Sequence, residues 1–128
     1  MNPRFLDVRD VASEKTEQAL KEAAAVIRCG GLVAFPTETV YGLGADALNP
    51  EAIDKIYKAK GRPSDNPLIV HISDMDMLYD VVASVNDDAL KLADAFWPGP
   101  LTMIVPKPES IPNEVSAGLS TIGVRCPS

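Results

Sequence analysis

The 128-residue sequence predicts an α/β fold with a mixed sheet, on three observations. Helical and extended segments alternate along the chain. Several extended segments are apolar on both faces, as strands lying between packed layers are. Asn, Ser and Asp stand where helices would begin, and Gly and Pro stand where they would end. The expected architecture is a twisted mixed sheet with helices packed on it, in one domain, since no linker divides the chain.

The elements follow in order. Residues 15–29 read as a helix with an apolar stripe of Ala19, Leu20, Ala23, Ala24, Val26 and Ile27, stopped by Gly30-Gly31. Leu32-Val33-Ala34-Phe35 is a short buried strand closed by Pro36, and residues 37–44 form a loop with two glycines and three hydroxyl side chains. Asn49 caps a second helix with Pro50 at its first position, running to about Lys60 before Gly61-Arg62-Pro63. Residues 68–72 are a strand. Ser73 or Asp74 opens a short helix to about Val82, and Asn86 opens another that ends near Trp97. Leu101 to Val105 is a strand, residues 106–112 a Pro-rich connection, and Thr121 to Arg125 the last strand.

Composition narrows the function classes. With 46% apolar and 23% charged residues the chain is neither disordered nor fibrous. Cys29 and Cys126 make no disulfide framework and no Cys-x-x-Cys pattern, which points to a reducing, cytoplasmic setting. The start lacks the regions of a signal peptide, and no apolar run approaches the ~20 residues that cross a bilayer. The net charge of −6 disfavours broad nucleic-acid binding. Yet residues 55–62 hold Lys55, Lys58, Lys60 and Arg62 without an acid, a local anion site in an acidic chain.

Within that island Ile53, Ile56 and Tyr57 make the core stripe of the helix, and Lys60 continues it at the next turn. A lysine on an inward row needs an anion. Lys55 and Lys58 fall on another face and read as solvated charge. Arg62, just past the helix, suits a forked contact to phosphate, although cations are also favoured there by the helix dipole. His71, the only histidine, sits in an apolar strand, where a core role and a functional role both stand open. Asn66 reads as a turn residue. Thr121 and Arg125 share a strand face with Gly123, and an inward Arg125 needs a carboxylate or phosphate, with Glu38 as an internal candidate. Trp97-Pro98-Gly99-Pro100 reads as a structural stop.

Six segments in this order resemble the YrdC-like family of threonylcarbamoyl-AMP synthases. They are Gly30 to Phe35, Pro36-Thr37-Glu38-Thr39-Val40-Tyr41-Gly42-Leu43-Gly44, Ile56 to Pro63, Asn66-Pro67-Leu68-Ile69-Val70-His71, Phe96 to Thr102, and Gly123-Val124-Arg125. The resemblance spans about residues 15–127. It implies a three-layer YrdC-like fold and an enzyme that joins L-threonine, bicarbonate or CO2, and ATP into threonylcarbamoyl-AMP, releasing pyrophosphate. Other proteins would then transfer the threonylcarbamoyl group to tRNA. By the same resemblance Thr39, His71 and Arg125 would hold threonine. Arg62, Asn66 and Thr121 would contact ATP, Lys60 and Arg62 would form the catalytic Lys-x-Arg pair, and Mg2+ would arrive with the nucleotide. The family's Ser-x-Asn motif has no counterpart here, so the chain resembles the front part of a longer domain.

Two rival readings remain. A non-catalytic module of the same fold would bind double-stranded RNA, a reading that the small basic island and the net charge oppose. A fragment of the related domain of hydrogenase-maturation carbamoyltransferases would make a carbamoyl-adenylate instead. Those proteins carry cysteine motifs upstream of the domain.

Overall fold

The computed structural model describes residues 3–61 and 67–128. Helix α1 spans Glu14–Arg28, with Ser13 accepting from the Lys15 N–H as its N-cap and Cys29 as its C-cap. Strands β1 (Val33–Phe35) and β2 (Gly42–Gly44) pair as an antiparallel hairpin. Helix α2 (Pro50–Lys60) starts at Asn49, whose side-chain oxygen accepts from the Glu51 and Ala52 N–H groups, and closes at Gly61 in the left-handed conformation (φ 62°). Then come β3 (Ile69–His71), α3 (Met75–Val81), α4 (Asp87–Phe96), β4 (Thr102–Pro106), the four-residue α5 (Asn113–Ser116) and β5 (Thr121–Arg125). Asp74 and Asn86 cap α3 and α4 through their side chains.

The central sheet has the order β3-β5-β4, with β3 parallel and β4 antiparallel to β5, so it is mixed as expected. Period-two alternation sends Val70, Ile72, Met103, Val105, Ile122 and Val124 to one face. There they form the core with Ile53 and Tyr57 of α2, Leu78 and Val81 of α3, Ala93 of α4, and Ile111 and Val115 around α5. The Tyr57 hydroxyl donates to the Glu114 carbonyl, which satisfies its polar end inside this layer.

Several elements differ in detail from the sequence expectations. One face of the sheet carries the core and the other is open among the described residues. Ile69 and Ile104, on the face opposite the core, are 48% and 69% exposed. The α1 stripe is not a core stripe, since of its members only Ala19 is buried and Leu20 is 57% exposed. Helix α1 lies instead against the β1–β2 hairpin. Residues 42–44, expected as loop, are a strand, because Gly42 and Gly44 let the chain run tight against the Phe35 ring. A Cβ on Gly44 would stand 2.7 Å from Phe35 Cε1. Helix α5, within a segment too short for periodicity to register, was not expected.

Lys55 also differs from the solvated reading. Its Nζ donates to the Gly30 carbonyl at 2.8 Å, which ties α2 to the end of the α1 turn. At the other end of the fold the Trp97 indole N–H donates to the Leu101 carbonyl at 2.8 Å, consistent with a structural stop. No helix among the described residues is long and apolar enough to cross a membrane.

Candidate active site on the open sheet face

The residues on the uncovered face are fixed by register. His71, Arg125 and Thr102 lie in one row across β3, β5 and β4. Ile69, Gly123 and Ile104 lie in the next, and Thr121 pairs with Pro106 beyond them. Gly123 therefore floors a shallow apolar trough between two isoleucines. An added Cβ there would meet Thr102 Cγ2 at 3.1 Å and Ile104 Cδ1 at 3.6 Å. Thr121 and Arg125 stand at opposite ends of β5, roughly 13 Å apart at the rise of an extended chain.

The hairpin brings a second set of groups to the Arg125 end. Phe35 meets His71 edge-on, with ring centroids 6.0 Å apart and planes at 76°. The connection between β1 and β2 is a turn organised by Thr37. Its Oγ1 accepts from the N–H of Thr39 and of Val40 and donates to the Val40 carbonyl at 2.6 Å. Thr39 is exposed in this turn, its hydroxyl 3.2 Å from that of Thr37. Glu38, between them, reaches the end of β5 and forms an ion pair with Arg125.

Arg125 is held on two sides. Its Nη2 pairs with Glu38 Oε1, and its Nε donates to the Gly99 carbonyl at 3.2 Å. Gly99 in turn donates its N–H to the Cys126 carbonyl, so the turn after α4 grips the end of β5 twice. The Arg125 side chain is 12% exposed. Desolvation makes such a guanidinium a demanding group, satisfied only by anions and carbonyls. Glu38 is thus the internal carboxylate that the sequence spacing asked for, while the Gly99 carbonyl is a partner no residue pattern announces.

His71 is exposed on the open face and is not part of the core. Its Nδ1 lies 3.2 Å from the Ile69 carbonyl oxygen. A carbonyl only accepts, so in a hydrogen bond here Nδ1 is the donor.

Lys60 is the last residue of α2 and is exposed, contrary to the inward row expected of it. Helix α2 turns Ile53, Ile56 and Tyr57 to the core, and its final residue has already passed the packed layer. No anion is needed to offset burial at Lys60, so its case as a ligand-contacting residue rests on position. It ends the helix that leads through Gly61 into residues 62–66 and then to β3. Arg62 and Asn66 lie outside the described residues. The structure thus gathers Thr39, His71 and Arg125 at one end of the open face and places Thr121 at the other.

Comparison with known proteins assigns this arrangement to a family. The Sua5/YciO/YrdC family model, described as telomere recombination, matches residues 25–128. The chain belongs to this family. It is 52% identical over 124 residues to the threonylcarbamoyl-AMP synthase of Bacillus subtilis strain 168, covering 96% of this chain and 36% of that protein. It is 51% identical over 112 residues to the threonylcarbamoyl-AMP synthase of Pyrococcus abyssi, covering 88% of this chain and 33% of that one. The crystal structure of P. abyssi Sua5 complexed with L-threonine superposes with a TM-score of 0.85, at 51% identity, over 88% of this chain and 33% of that one. The chain therefore spans about a third of the length of these relatives.

Proposed function

We propose that this chain carries the threonine end and part of the nucleotide end of an L-threonylcarbamoyladenylate synthase site. The observation that carries the reading is the largely buried guanidinium of Arg125, register partner of His71 and ion-paired with Glu38 in the turn that bears Thr39. An α-amino acid offers one carboxylate, one ammonium and, in threonine, one hydroxyl. Arg125 is suited to the carboxylate, while the His71 Nε2 and the Thr39 hydroxyl are suited to the hydrogen-bonding groups. The complex of the P. abyssi relative with L-threonine supports the same ligand.

ATP is assigned to the other end, with Arg62, Asn66 and Thr121 as contacts and Lys60 with Arg62 as the catalytic pair. In the reaction the free threonine amine attacks CO2, forming an N–C bond and losing a proton to give the carbamate. A carbamate oxygen then attacks the α-phosphorus of ATP, and the bond to the β-phosphate oxygen breaks to release pyrophosphate. Carboxylate, carbamate and triphosphate meet in one place, so cationic side chains must offset their repulsion. Catalysis here is positioning and charge stabilisation without a covalent nucleophile. Mg2+ belongs to the reading as the nucleotide's counter-ion. Among the described residues no group of three or more His, Cys, Asp or Glu is arranged to hold a metal.

The product would serve tRNA modification in the cytoplasm, where other proteins transfer the threonylcarbamoyl group. Pyrophosphate release with ATP and Mg2+ tests the reading. Release that depends on both L-threonine and bicarbonate is expected, and release indifferent to either would overturn it.

A further inference from the structure

We infer that Glu38 is a positioning residue for substrate carboxylate recognition, acting through Arg125; the inference rests on the threonine reading above. An arginine reaching from a strand end has several rotatable bonds, and an ordered guanidinium binds a carboxylate better than a searching one. Here two of its three nitrogens are already committed, Nε to the Gly99 carbonyl and Nη2 to Glu38. Nη1 has no partner among the described residues, and strand register sets Arg125 on the open face.

Glu38 is itself fixed. The Thr37 side chain locks the turn on either side of it, and its second oxygen, Oε2, accepts from the Ser128 N–H at 2.9 Å and the Ser128 hydroxyl at 3.1 Å. One carboxylate therefore joins three parts of the fold: the turn bearing Thr39, the guanidinium of Arg125, and the backbone three residues beyond it. The arrangement sets Thr39 and Arg125 relative to each other. A carboxylate in this place also lowers the net positive charge at Arg125, trading general anion attraction for a single presented direction.

The opposite role, in which Glu38 competes with the substrate for Arg125, makes the opposite prediction. Calorimetric titration of the 128-residue chain and its Glu38→Ala and Glu38→Gln variants with L-threonine and, separately, with ATP and Mg2+ decides between them. Positioning predicts threonine binding weakened roughly tenfold to a hundredfold in Glu38→Ala. It also predicts partial recovery in Glu38→Gln, which keeps one acceptor oxygen, and unchanged nucleotide affinity. A purely structural role would weaken both ligands and lower the melting temperature in parallel. Equal or tighter threonine binding in Glu38→Ala, or parallel loss of both ligands, overturns the inference. Failure of the unsubstituted chain to bind threonine overturns instead the functional reading beneath it.

Discussion

His71 and Arg125 are register partners across the parallel β3–β5 pair, and strand alternation sends both side chains to the face that no helix covers. One comes from an apolar run that looks like core, the other from a strand whose three middle residues are buried. Their pairing puts an imidazole beside a guanidinium at the same end of the sheet, under the turn that carries Thr39. The predictions below follow from that arrangement.

Replacing Arg125 removes a largely buried cation and leaves Glu38 with Ser128 as its partner among the described residues. Arg125→Ala is expected to raise the L-threonine requirement roughly tenfold to a hundredfold with little change in the ATP requirement. Arg125→Lys does not restore it, since an ammonium cannot contact Gly99 and Glu38 through separate nitrogens of one plane. Steady-state titration of each substrate checks this. An ATP effect larger than the threonine effect would reassign Arg125 to the nucleotide.

Lys60 is exposed at the end of α2, so its loss removes no packing. Lys60→Ala is expected to leave the unfolding free energy within about 0.5 kcal/mol of the unsubstituted chain. Adenylate formation should nevertheless fall by roughly a hundredfold or more, as for a lost charge-stabilising group. Arg62→Ala is expected to lose activity equally. Denaturant melts and product assays on the same samples separate the two effects, and full activity in either variant would remove the pair from the site.

Gly44 sets the approach of β2 to the Phe35 ring, the ring that also meets His71 edge-on. Gly44→Ala forces a Cβ into the 2.7 Å space beside Phe35 Cε1. The expected cost is about 1–3 kcal/mol of stability. The shifted ring should also change the His71 environment, visible as a displaced imidazole resonance. An unchanged melting temperature together with an unmoved His71 signal would show that the hairpin does not brace the histidine.

Much of this fold was legible because its signals are local. Asn49-Pro50 and Gly61 mark both ends of α2, Asn86 opens α4, and the period-two run from Thr121 to Arg125 gives β5 with its two faces correctly sorted. What the sequence misplaced depends on partners distant along the chain. Whether the Ile69 side of β3 is covered depends on what packs over it, and no periodicity reports that. Leu20 and Val26 follow a helical stripe yet stay exposed, since α1 packs beside β1 of the hairpin and not on the central sheet's core. Lys60 continues the stripe of α2 by angle, but the helix has outrun its neighbours by its last turn. At the site, the Thr121–Arg125 spacing announced an inward cation and nominated Glu38. The Gly99 carbonyl and the Ser128 contacts were invisible, because backbone groups carry no residue signature.

The proposed activity is the joining of threonine, CO2 and ATP on this face. The most direct measurement is mass spectrometry of the nucleotide products after incubation with 13C-bicarbonate, L-threonine, ATP and Mg2+. The account predicts an adenylate that carries both the threonine and the label and that needs higher threonine to form when Arg125 is replaced by Ala. A reaction yielding labelled adenylate without threonine, or no labelled adenylate at all, would contradict it.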